Sequence, residues 1–181
     1  MSASRVGSLK SLTLGALLVG GLSLTSIGVA LAQDAEVPAH PAHIHEGTCD
    51  DLNPAPKETL SFVSVLMSDS DEEDANTPQG VLTAGRVLLS TTEGVELSME
   101  DILADAHSID IHLSEAEIGT YIACGEIGGV PVDGDLYIGI RDVNGSGYSG
   151  VARLSEDGDS TNVDIFLTEP TDESAPATPA S

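Results

Sequence analysis

Three of the chain's five histidines fall within six residues, in Pro38-Ala39-His40-Pro41-Ala42-His43-Ile44-His45-Glu46-Gly47. In an extended strand, residues two apart face the same way, so His43 and His45 project together while Ile44 turns to the core. That places two imidazoles where one metal ion could take both. The other two histidines bracket His107-Ser108-Ile109-Asp110-Ile111-His112-Leu113. There Ile109, Ile111 and Leu113 make the buried face, so His112 points the opposite way, and both histidine sets are expected on the outer surface of a sheet. Three imidazoles suit copper or zinc, and copper has the higher affinity for nitrogen donors. The competing reading is solvated polar surface. His40 and His107 are candidate fourth ligands, set against flexible exposed polarity for His40 and a capping or structural role for His107.

The elements that must position these side chains read as short strands. Gly, Pro, Asn or Asp punctuates the chain at short intervals, and the segments between are rich in Val, Ile, Leu and Thr, which points to an all-β sandwich or barrel. The expected strands are 39–45, 60–67, 86–91, 95–97, 108–113, 120–127, 136–142, 147–154 and 162–168. Val143-Asn144-Gly145-Ser146 and Glu156-Asp157-Gly158-Asp159-Ser160 supply turn chemistry for the last connections. Ser98 with Asp101 resembles a capping box ahead of a short helical turn, and Ser114 with Glu117 repeats the pattern. Asp69-Ser70-Asp71-Glu72-Glu73-Asp74 reads as a solvated loop. A calcium site there is the minority reading, because the glycine and the twelfth-position Glu of an EF-hand loop are missing.

Residues 1–32 look like an export signal: Arg5 and Lys10 precede an apolar run from Leu12 to Leu31, and Ala30-Leu31-Ala32 is a small-x-small cleavage pattern. An uncleaved membrane anchor is the alternative. Cleavage would remove two of six basic residues and none of the 30 acidic ones, leaving a chain with a net charge of −26. Such a surface excludes phosphate-backbone binding, so no nucleic-acid partner is expected. After cleavage no membrane partner is expected either, and the location would be secreted, periplasmic or cell-surface. In an oxidising compartment the pair Cys49 and Cys124 is most simply a disulfide, with two unpaired buried thiols as the alternative. Residues 33–168 then form one β domain, and 169–181, built of Pro, Thr, Ser, Ala and acid, form a disordered tail.

Two segments add a family resemblance. His43-Ile44-His45-Glu46-Gly47 resembles the histidine-x-histidine-glutamate strand of copper/zinc superoxide dismutases. Ile109-Asp110-Ile111-His112, followed after a short gap by Ala123-Cys124-Gly125-Glu126-Ile127-Gly128, resembles that family's later copper-histidine strand and its ending. Gly94 to Asp101 is similar to a further family segment. In the family the Ala-Cys-Gly strand closes the chain and three strands precede the His-x-His strand. Here three candidate strands follow Ala-Cys-Gly, and Ser149-Gly150-Val151-Ala152-Arg153-Leu154 and Val163-Asp164-Ile165-Phe166-Leu167 look like the missing early ones. The resemblance therefore implies a circularly permuted Greek-key β-sandwich or flattened barrel of about eight strands.

Carried over residue by residue, His43, His45 and His112 fall on three of four copper-ligand positions, and Cys49 and Cys124 fall near the disulfide positions. The fourth position, the bridging histidine, would lie within 50–85, which contains no His. A zinc site is therefore not expected. Tyr121 stands where the family has its catalytic arginine, and the guiding loop has shrunk to Ser114–Thr120. The reading that follows is an exported copper-binding protein with a mononuclear three-His site. A copper-only superoxide dismutase is the first alternative. The second is a metal-free chordin-type β module, which the Ala-His-Ile-His-x-Gly string also resembles. A saline or acidic habitat is a separate explanation of the charge. No Ser sits in a nucleophile elbow, and 30 acidic residues leave any chosen glycosidase pair without meaning.

Overall fold

A computed structural model describes residues 39–170, apart from 71, 73, 74, 78, 82 and 83. The expected signal segment and residues 171–181 of the expected tail lie outside the described residues. Eight antiparallel strands form one closed barrel: β1 (Ala39–Thr48), β2 (Asp51–Val65), β3 (Val87–Val95), β4 (His107–His112), β5 (Tyr121–Ile127), β6 (Asp135–Asp142), β7 (Ser149–Asp157) and β8 (Ser160–Thr168). Around the barrel they run β1-β2-β3-β8-β7-β6-β5-β4, with β4 closing on β1. The chain leaves β3, passes over β2 and β1, and re-enters beside β1 as β4. That spatial order, 4-1-2-3, is a Greek key.

One short helix, α1 (Met99–Ala104), makes the β3–β4 crossing. Its start is the expected one: the Asp101 amide donates to Ser98 Oγ at 3.0 Å, and Ser98 Oγ donates to the Asp101 carboxylate at 2.7 Å. Met99 and Ile102 are buried and stopper this end of the barrel. The interior is aliphatic, with Ile44, Leu88, Ile109, Ile111, Leu154, Ile165 and Leu167 all fully buried. Gly150 lets β7 run close to β8, since a Cβ there would collide with the Phe166 carbonyl.

The structure redraws three expected elements. The second strand begins at Asp51, nine residues before Leu60. Pro54 and Pro56 argue against a strand, but β2 meets β3 only at Ser64–Leu89 and Val65–Leu88, so its early part has an open side on which proline is tolerated. Residues 95–97 do not form a strand of their own, because β3 runs on to Val95. Ser114 caps a turn rather than a helix, its Oγ accepting from the Glu117 amide at 3.1 Å. Glu169, placed by sequence in the tail, is tied to Arg86 through both its backbone amide and its carboxylate.

Candidate metal centre

Strand alternation builds the site as expected. On β1, Ala42 and Ile44 point inward and His43 and His45 outward, and on β4 Ile109 and Ile111 point inward and His112 outward. His43 faces Asp110 across the β1–β4 ladder and His45 faces Ser108, so β4 brings its outward row alongside the β1 pair. The three rings converge, with centroids 4.8 Å apart for His43–His112, 5.7 Å for His43–His45 and 6.1 Å for His45–His112. One ligand nitrogen from each lies within 4.8 Å of the others.

The expected surface exposure does not hold. His45 and His112 are buried at 1% and 2% exposure, and only His43 is partly open. Two backbone segments roof the outer face. Register shifts between His45 and Gly47 arch β2 over His45, whose Nδ1 lies 2.8 Å from the Asn53 carbonyl. The 113–120 turn covers His112, whose Nδ1 meets the Ile118 carbonyl. A carbonyl only accepts, so both Nδ1 atoms carry hydrogen and both Nε2 atoms offer lone pairs. The tautomers are thus fixed by backbone, which is the outer-shell arrangement typical of metal-bound histidine.

Nitrogens that share a metal at about 2.0–2.1 Å in tetrahedral geometry sit about 3.3 Å apart. His43 Nδ1 and His112 Nε2 are 2.8 Å apart, and His45 Nε2 is buried with no partner at all. An orphaned buried acceptor costs about 1–3 kcal/mol, and a cation at the centre of the three would satisfy it. The donor set therefore fits a metal ion. Burial first, then the neighbouring His112 and His45, push the His43 pKa down to about 4. Burial likewise lowers that of His112. His43 and His112 are accordingly neutral, ligand-ready imidazoles near pH 7.

His40 and His107 do not join this group. Both occupy the inner faces of their strands, at opposite ends of the barrel. His40 Nδ1 donates to the Leu113 carbonyl at 2.9 Å and its ring meets Tyr148 edge-on at 5.2 Å. His107 Nδ1 donates to the Ile102 carbonyl at 2.9 Å, behind α1. Each is a solitary ring. Cys49 and Cys124 form the expected disulfide, with Cα atoms 5.9 Å apart, and it pins the β1–β2 turn, four residues before Asn53, to β5.

Sequence reasoning gave Asp110 no role, although strand period two puts it on the face of His112. It is 1% exposed and accepts from Ser108 Oγ at 2.7 Å, and burial holds its carboxyl above the ordinary range. Tyr121, opposite His112 in the β4–β5 ladder, packs its ring 4.7 Å from that imidazole. Asp110, Tyr121, Arg141, Asp50 and Asn144 line an open cleft of about 670 Å³ beside the centre. Among the described residues no helix is long and apolar enough to cross a membrane. Compared with known proteins, the chain matches no family model, no curated sequence and no solved structure.

Proposed function

We propose that the chain is an exported protein that holds one copper ion on His43, His45 and His112. The observation that carries this reading is the convergence of three imidazole nitrogens within 4.8 Å, two of them on rings whose tautomer the backbone fixes. Copper supplies high affinity for nitrogen donors and one-electron chemistry. His45 and His112 hold their rings rigidly, while half-open His43 leaves a way in from solvent. The disulfide agrees with export into an oxidising space.

Binding is favoured over rapid turnover of an anion by the electrostatics. Every basic residue beyond position 32 is engaged with a carboxylate: Lys57 with Glu46, Arg86 with Glu169, Arg141 with Asp50, and Arg153 with Asp135 and Asp164. No free positive focus remains to offset the acidic surface.

The resemblance to superoxide dismutases keeps copper-only dismutation as a second reading, and the strand order favours it. β6, β7 and β8 fill the gap between β5 and β3. The ladder runs Ala39–Ser64, Ser64–Leu89 and Val87–Thr168, so the start of β1 and the end of β8 share one end of the barrel, three strand spacings or about 14 Å apart. A permutation joining those ends needs only a short loop.

Copper titration against a competing chelator, followed by a superoxide-consumption assay on the loaded protein, tests both readings. Tight one-to-one uptake that is lost in His112→Ala, without turnover, is the expected result. Fast turnover lost in the same variant would establish the enzyme. Absence of copper binding at micromolar concentration would leave a metal-free β module.

A further inference from the structure

We infer that His40, remote from the three-ring cluster and on the opposite face of β1, is a positioning residue for His112. The inference rests on the copper-binding reading. His40 Nδ1 donates to the Leu113 carbonyl at 2.9 Å. The Leu113 amide in turn donates to the Thr120 carbonyl at 2.8 Å, closing the base of the 113–120 turn. Within that turn the Glu117 amide reaches the Ser114 carbonyl at 3.2 Å and the Thr120 amide reaches the Glu117 carbonyl at 2.9 Å. The turn presents the Ile118 carbonyl to the centre, where it accepts from His112 Nδ1.

One buried ring thus grips the first residue of the turn, and the turn fixes the tautomer and tilt of His112. The anchor is rigid. His40 is 3% exposed, with the Tyr148 ring against its edge at 5.2 Å. Its Nε2 is buried without a partner, so the contact that decides its orientation is the one to Leu113. Loss of an outer-shell partner of a metal ligand typically costs 10–100-fold in metal affinity. Here the partner is the turn, and His40 acts one step behind it.

The test compares His40→Asn with His40→Gln. Asn places an N–H near the position of Nδ1 and Gln does not. Copper affinity, the electron paramagnetic resonance spectrum of the Cu(II) form and the thermal midpoint of the copper-free form are measured for each. His40→Gln should weaken copper binding about 10-fold and alter the spectrum, and His40→Asn should restore both towards wild type at an equal thermal midpoint. Wild-type affinity and spectrum in a folded His40→Gln would overturn the assignment. If His40→Gln does not fold, hydrogen exchange in the wild type decides. Cu(I) loading should slow exchange of the His40 ring N–H and the Leu113 amide but not of the His107 ring N–H, because coupling between sites is reciprocal. Equal protection at both rings would overturn it. A wild-type protein that takes up no copper would remove the site itself, an outcome distinct from either result.

Discussion

The two strand faces that carry histidine use the same side chain in opposite ways. Outside the barrel, three rings turn lone pairs towards one another under a roof of backbone. Inside, His40 and His107 each spend one nitrogen on backbone carbonyls, Leu113 for His40 and Ile102 with Asp105 for His107, and leave the other without a partner. All but His43 are buried. Burial therefore does not separate ligand from filler here, and convergence does: a ring becomes a ligand candidate when a second and a third lone pair share its space.

That contrast can be broken in four ways. The largest effect belongs to the disulfide that holds the roof. Cys49→Ser with Cys124→Ser opens a loop of sequence separation 75 and should cost about 4 kcal/mol of stability by loop entropy, read as a lower urea midpoint. An unchanged midpoint would mean that the roof stands without its staple. Next comes His112→Ala, expected to reduce copper affinity by more than the 10–100-fold typical of an outer-shell loss while leaving a cooperative unfolding transition. His107→Ala should do the reverse. It leaves a cavity behind α1 and an unpaired Ile102 carbonyl, lowering stability by about 2 kcal/mol with copper affinity unchanged. Equal loss of affinity in both variants would erase the distinction between the faces.

The smallest effect is the response of the copper-free protein to acid. The His43 pKa is about 4 when folded against 6.5 as the unperturbed value. Between those values the unfolded chain binds more protons, so stability falls as pH drops from about 6.5 towards 4 and this contribution is constant below. Thermal midpoints across that range should decline in wild type and decline less in His43→Gln. A parallel decline would assign the acid response to other groups.

Much of the centre was legible because strand period two is strict. His43 with His45, inward Ile44 and outward His112 follow from alternation alone. The Ser98 cap followed from local hydrogen-bonding chemistry, and the cysteine pair from an even count in a chain whose sequence reads as exported. Burial of the rings was not legible. It comes from the β2 arch at Asn53 and from the Ile118 turn, both of which act through backbone carbonyls that any residue could supply. Nor was the extent of β2, since whether a proline breaks a strand depends on which side lacks a neighbour. The inward placement of His40 follows from the same alternation, since it shares the face of Ala42 and Ile44, but its membership of the same short run as His43 and His45 made it a ligand candidate.

The thin contacts between β2 and β3 and between β5 and β6 give the barrel two seams. Two residue pairs join each, with the Ser61 amide to Thr92 Oγ1 and Ser90 Oγ to the Ser61 carbonyl as side-chain stitches across the first, whereas β1 and β4 share five paired positions. Partial unzipping will start along these lines. The shell can breathe there while the strands bearing the imidazoles stay laced together, so the molecule's softest direction lies away from its most demanding geometry.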